Sequence, residues 1–189
     1  MSEIEEKIKE TWTNINNLIE DEYKVSSEKT LVFLFAMEFM KLNECNFERY
    51  VLDFENNIYA EVDSSDTFLD LKINDKEENK KYALEFKFPR KSSNGNSNQT
   101  EIRKKVYKDI ARLQYLKERK GFFGGFFLMM TDENPYVVKS KNRDNTYDTS
   151  NRHIGSLAEY LSQYSISDLE FKFKWEVKDK YSYLKVIKV

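Results

Sequence analysis

The chain is poor in the residues that build scaffolds by covalent or conformational constraint. Its 189 residues include one cysteine, Cys45, one histidine, His153, two prolines and five glycines. A single cysteine excludes an intrachain disulfide and a cysteine zinc site, and points to a reducing, cytoplasmic setting. A lone histidine with no cysteine partner reads as structural, not as a zinc ligand. So little glycine and proline argues against long flexible linkers, and no internal repeat is visible. A long apolar run is also missing. The densest, Gly121 to Met130, is too short to span a bilayer, and the opening Ser2-Glu3-Ile4-Glu5-Glu6 does not read as a signal peptide. The expectation is a soluble protein with no membrane partner.

What is present suffices for one well-buried domain over residues 1–189. Hydrophobic residues make up 40% and aromatics 15%, too much for disorder, and the length is short for two domains. The net charge of −2 hides an asymmetry. Met1 to Glu22 carries seven acids against two lysines, whereas Lys87 to Lys120 holds eleven Lys or Arg against three acids. Clustered cations release counterions from a phosphate backbone, so the second segment is a candidate nucleic-acid footprint, with Arg90, Lys91, Arg103, Lys104, Lys108 and Arg112 as its contacts. An ordinary charged helix surface is the other reading.

Periodicity outlines the elements. Ile4, Ile8, Trp12, Ile15 and Leu18 or Ile19 recur at helical spacing in a helix over 1–22, which packs outside the core or mediates self-association as a homodimer. Ser27-Glu28 precedes a helix over Lys29 to Leu42 that is apolar nearly all round, as a helix packed between layers would be. Tyr50 to Tyr59 reads as a first strand. Thr100 to Lys120 is a helix with Ile102, Val106, Ile110, Leu113 and Leu116 as its stripe, and Gly125 to Thr131 is a further strand. Residues 168–189 alternate in two runs, Leu169 to Trp175 and Tyr181 to Val189, and read as a C-terminal hairpin. The polar stretches Arg90 to Gln99 and Lys139 to Arg152 read as loops, the first placed to close over a ligand.

Chemistry concentrates in two alternating segments, Phe68 to Ile73 and Tyr82 to Phe88. Tyr82, Leu84, Phe86 and Phe88 share one face and Glu85 and Lys87 the other; Leu69, Leu71 and Ile73 oppose Asp70 and Lys72. Paired as a hairpin, the strands bring Asp70 near Glu85 and Lys87. Two carboxylates offer hard oxygen ligands to Mg2+ or Mn2+, ions that need only one or two carboxylates besides a substrate's phosphate oxygens. An ammonium beside them can orient or deprotonate a metal-bound water and offset charge on a phosphoryl transition state. The competing reading is a solvated strand face, since 34% of the chain is charged.

In pattern and order the chain resembles the PD-(D/E)XK, or restriction-endonuclease-like, nuclease superfamily over roughly residues 26 to 138. The resemblance rests on a helix, a hairpin carrying Asp70 and then Glu85-Phe86-Lys87, a second helix and a further strand. It is most similar to small stand-alone prokaryotic members, through Leu84-Glu85-Phe86-Lys87-Phe88 and Asp109-Ile110-Ala111-Arg112-Leu113. Leu69 stands where the name-giving proline would be.

The resemblance implies an α/β fold with a mixed central sheet flanked by helices, and a divalent-metal-dependent nuclease acting on DNA. Asp70 and Glu85 would bind the metal, Lys87 would serve catalysis, and Glu28 would contribute from the first helix. Glu28 can equally be a helix-start acid favoured by the dipole, and Glu55 is its rival for the metal. Asp109 falls within the apolar stripe of its helix, where it must be paired, with Lys105 and Arg112 in helical reach. It either orients the helix through an internal salt bridge or, with Arg112 or Lys105, helps position the active site. The alternative function is a nuclease-fold protein without turnover, acting as a nucleic-acid-binding or regulatory partner.

Overall fold

A computed structural model describes residues 2–21, 23–64, 66–91, 98–139 and 146–189. Most of the Arg90 to Gln99 loop and the first half of the Lys139 to Arg152 stretch lie outside the described residues. The fold is α/β with a mixed central sheet. Strand β1 (Tyr50–Asn57) pairs antiparallel with β2 (Phe68–Asp75), β2 antiparallel with β3 (Lys80–Lys87), and β3 parallel with β4 (Gly124–Thr131). Beyond β4, strand β8 (Ser182–Leu184) pairs with its end and β9 (Ile187–Lys188) with its start. Strand β7 (Trp175–Val177) closes that edge. All eight residues of β4 are buried, as a central strand covered on both faces requires.

Alternate residues of β4 divide the core between the two sheet faces. Phe126, Leu128 and Met130 pack with helices α1 (Glu3–Asp21) and α2 (Glu28–Leu42), while Phe127 and Met129 pack with helix α3 (Gln99–Arg119) and the C-terminal segments. Helix α2 starts where Ser27 accepts a hydrogen bond from Thr30 N at 3.1 Å, and it stops at Asn43, before Glu44 and Cys45, which both adopt φ 53°. Its Phe35 is fully buried and meets Phe86 of β3 edge to face, 5.3 Å between centroids, a contact adding to the ~2–3 kcal/mol such burial supplies. Helix α3 ends at Gly121, whose φ of 69° lets Phe122 N bond back to Leu116 O at 3.2 Å. The stripe of α1 is buried at Ile4, Ile8, Trp12, Ile15 and Ile19, with Leu18 outside it, and Trp12 Nε1 donates to Leu184 O. This helix therefore belongs to the core.

Three expectations need correction. Helix α2 is not enclosed all round: Phe33 and Met37, one turn apart, are more than half exposed. Leu69 packs on the α3 side, whereas Leu71 and Ile73 pack on the α2 side. The β1–β2 ladder is interrupted at this point, where Glu55, at φ 49°, faces Asp70 without pairing, and the strand turns. The C-terminal hairpin is shorter than the alternation suggests. Only Trp175–Val177 and Ser182–Leu184 pair with each other; strand β6 (Glu170–Lys172) pairs instead with β5 (Ile154–Ser156) in a separate two-stranded sheet, and β9 pairs with β4. Helix α4 (Leu161–Tyr164) joins the α3-side core through Tyr164.

Candidate active site

Three elements converge where β3 leaves the sheet. The β2–β3 register, Leu71 opposite Leu84, places Asp70 beside Glu85. Helix α2 brings Glu28 in at its first residue, and α3 supplies Asp109 and Arg112 across the sheet face. A cavity of about 410 Å³ opens between them, lined by Glu28, Asp66, Asp70, Glu85 and Asp109 and by Lys87, Lys105 and Arg112, with Phe68, Phe88, Pro89 and Ile102 as apolar wall. Five carboxylates against three cations leave a net −2 when all are ionised.

The charges are cross-connected. Lys87 Nζ lies 2.7 Å from Asp109 Oδ2 and 3.6 Å from Glu28 Oε1, and donates to Phe86 O at 3.0 Å. Arg112 Nη1 lies 3.2 Å from Asp109 Oδ1 and 2.8 Å from Asp66 Oδ2. Its Nη2 donates to Phe68 O at 2.6 Å and stands 3.5 Å from Glu85 Oε1, and the guanidinium packs 3.7 Å from the centre of the Tyr59 ring. Backbone amides hold the remaining acids: Phe86 N donates to Asp70 Oδ2 at 2.8 Å and Phe88 N to Glu28 Oε2 at 2.9 Å.

Burial and mutual repulsion raise the pKa values of Glu28, Asp70 and Glu85. Burial is the largest cause for Glu28, Asp70 and Glu85; Glu85 is pushed well above the usual carboxylate range, with repulsion from Asp70 and Asp109 adding to it. Burial opposes the charge on Lys87, but Asp109, Glu28, Asp70 and Glu85 together outweigh it and hold the ammonium well above its ordinary value. Lys87 is therefore a cation at neutral pH.

A divalent ion fits these residues on two counts. Glu85 Oε1 is buried without a hydrogen-bond partner, with only Arg112 Nη2 3.5 Å away, and carboxylates outnumber cations around the cavity, so an ion that displaced the proton favoured by burial would meet hard oxygen ligands. Asp70 and Glu85 are the residues that would hold it. Among the described residues no group of three or more His, Cys, Asp or Glu is arranged as a ready-made metal cage. Mg2+ needs no such cage, since it keeps several waters and takes only one or two protein carboxylates.

Asp70, Glu85, Lys87 and Glu28 are thus brought into one cavity. Glu55 is not; it is exposed and pairs with Lys29 at 2.6 Å. Asp109 pairs with Arg112 as its spacing suggests, and also with Lys87 of the neighbouring strand, but not with Lys105. The nucleic-acid footprint is smaller than the cation count. Arg103 and Arg112 are buried: Arg103 donates to Pro135 O and Arg112 serves the cavity, so neither presents to a surface phosphate. Lys108 pairs with Asp63, and Arg90 Nη1 donates to Val25 O at 3.3 Å. Lys91 and Lys104 are exposed. His153 lies 3.7 Å from Asp148 and does not line this cavity.

Sequence reasoning missed Asp66, Tyr59 and Phe68. Asp66 lies in a polar connection with no periodicity to mark it, and the Tyr59 ring under Arg112 follows from tertiary packing alone. Comparison with family models, with curated proteins and with solved structures found no match. The residues of the cavity carry the functional argument.

Proposed function

We propose that the chain is a divalent-metal-dependent nuclease that hydrolyses phosphodiester bonds in DNA. The observation that supports this reading best is the convergence of Asp70, Glu85, Lys87 and Glu28 in one open cavity where carboxylates outnumber cations. Mg2+ or Mn2+, when bound, supplies Lewis acidity to a phosphate oxygen and acidifies a water. The chain's own residues do the rest. Asp70, fixed by Phe86 N, and Glu85, whose buried Oε1 has no hydrogen bond and only Arg112 at 3.5 Å, present the ligand face. Lys87, held as an ammonium, steadies negative charge growing on the phosphoryl group; Glu28, fixed by Phe88 N, holds that ammonium from the other side. Phe88, Pro89 and Ile102 give the cavity an apolar wall, beside which charge interactions are stronger than in bulk water.

Plasmid, linear and single-stranded DNA and RNA incubated with Mg2+ or Mn2+ test the assignment. Lys87→Ala, checked for folding by thermal denaturation, should lower the rate about 10²–10³-fold; equal rates in both proteins refute it. Calorimetric titration with Mn2+ should lose its heat in the Asp70→Ala, Glu85→Ala double variant. The second reading, a nucleic-acid binder without turnover, draws on the contact of Arg112 with Glu85, which partly neutralises the ligand face from within. It predicts no metal heat in either protein.

A further inference from the structure

Two exposed side chains that line the cavity have no part in its internal charge network. Lys87 and Arg112 are engaged by carboxylates, but Lys105, exposed and one helical turn before Asp109, makes no ion pair or hydrogen bond among the described residues. Phe68 is 51% exposed and stacks on no other ring among the described residues, yet it lines the same cavity. Its position is fixed from below. Phe68 O accepts the 2.6 Å bond from Arg112, Phe68 pairs with Asn57 of β1, and two residues on, about 7 Å along the strand, stands Asp70. An exposed phenyl ring at the start of β2 and an exposed ammonium lining the same cavity suit one ligand chemistry, a base with its flanking phosphate. Every base has a π face for the ring, whatever its identity, and the phosphate meets the cation.

From this we infer that the cavity takes an unpaired nucleotide, with Phe68 stacking the base next to the scissile phosphate and Lys105 binding the adjoining phosphate. The substrate class is therefore single-stranded polynucleotide, or the frayed end of a duplex. Bases inside a duplex are stacked on their neighbours and cannot reach Phe68 without being unstacked. This inference rests on the nuclease reading for the scissile phosphate, and on these two exposed side chains alone for the base and its neighbour.

The test has a binding arm and a cleavage arm. Fluorescence anisotropy in Mn2+ compares a labelled 12-nucleotide thymidine strand, a uridine strand of equal length, and a blunt duplex. Single strand should bind at least tenfold tighter than duplex, and the two strands report whether DNA or RNA is preferred. Phe68→Ala should weaken single-strand binding about tenfold, and Phe68→Tyr should restore it. Lys105→Ala should reduce the slope of log K against log salt by about one. In cleavage, Phe68→Ala should lower the ratio of single-strand to duplex kcat/KM about tenfold. Equal binding of strand and duplex by the parent chain, or unchanged binding by folded Phe68→Ala, overturns the inference. If nothing is cleaved but Phe68→Ala still loses single-strand binding, the nuclease reading fails and the base site stands.

Discussion

Asp109→Ala probes the charge network at the point where two cations share one acid. The Asp109 side chain is 2% exposed, 2.7 Å from Lys87 and 3.2 Å from Arg112. Removing one partner of a buried pair costs about 3–5 kcal/mol, because the other charge stays buried without compensation. Three features place this case at the low end. Lys87 keeps Phe86 O at 3.0 Å and Glu28 at 3.6 Å, and Arg112 keeps Asp66 and Phe68 O. Loss of the Asp109 charge also relieves repulsion on Glu85 and Asp70. That relief is the smaller effect: among neighbouring charges Asp109 ranks first for Lys87, but behind Asp70 for Glu85 and behind Lys87 for Asp70. A cost of about 3 kcal/mol follows. For a domain of this size it lowers Tm by roughly 6–12 °C.

Urea denaturation of the parent chain, Asp109→Ala, Asp109→Asn and the surface control Lys104→Ala measures this. Asn keeps an acceptor for Arg112 but loses the charge facing Lys87, so it should fall between parent and Ala. The control should stay within about 0.5 kcal/mol. Combining Asp109→Ala with Lys87→Met should cost less than the sum of the single changes by more than about 1 kcal/mol, the mark of a direct interaction. A cost for Asp109→Ala no larger than the control, or strict additivity with Lys87→Met, would refute the network.

Asp75 is buried and bonded to Arg49 at 3.0 Å; burial opposes its ionisation, but the hydrogen bonds from Arg49 prevail and lower its pKa. A lowered folded-state value means that its stabilisation is present above the unfolded value of about 3.9 and is lost as pH falls through the lower one. Asp75→Asn should therefore be less stable at pH 7 and show a flatter loss of stability below about pH 4, followed by thermal melts across pH. Gly125→Ala would place a Cβ 2.6 Å from Val189 Cγ2 and 2.8 Å from Leu113 Cβ, an overlap costing about 1–3 kcal/mol of unfolding free energy measured by urea denaturation. Ser27→Ala removes the cap on Thr30 N and should cost about 1 kcal/mol by the same measurement.

The hairpin and its charged face were legible because alternation at period two is a local property that the sheet preserves. Glu85 and Lys87 point away from Tyr82, Leu84 and Phe86 as their order in the chain requires. The helices were legible for a similar reason, and each runs within a few residues of its apolar pattern. What the pattern could not carry was partner choice. Spacing on one helix offers Lys105 and Arg112 to Asp109, whereas the stronger contact comes from Lys87, on a strand brought over by the crossover. Charge counts mislead in the same way. Arg103 and Arg112 look like surface cations in a basic helix, but both are buried, and each donates to a carbonyl from a distant segment. The misplacement of Leu69 has another origin, a backbone turn at Glu55 and Asp70 that no residue type announces.

The cost of the cavity's charges bears on why they are there. Buried ion networks of this kind are seldom the most stable solution, since well-packed apolar residues of similar volume often do as well or better. A purely structural network would also tend toward neutrality, with each acid matched to a cation. Here Asp109 is shared by Lys87 and Arg112, Glu28 and Asp70 each accept one backbone amide beside the same Lys87, and Glu85 keeps a buried oxygen with no hydrogen bond. Asp70 and Glu85 line the same cavity as the exposed Phe68 and Lys105. Such a pattern supports a site completed from outside by a cation and a phosphate rather than a salt-bridged core. It ties the metal and the nucleotide to a single measurable consequence: Mn2+ should raise the affinity for a single strand, and the strand the affinity for Mn2+, by the same factor.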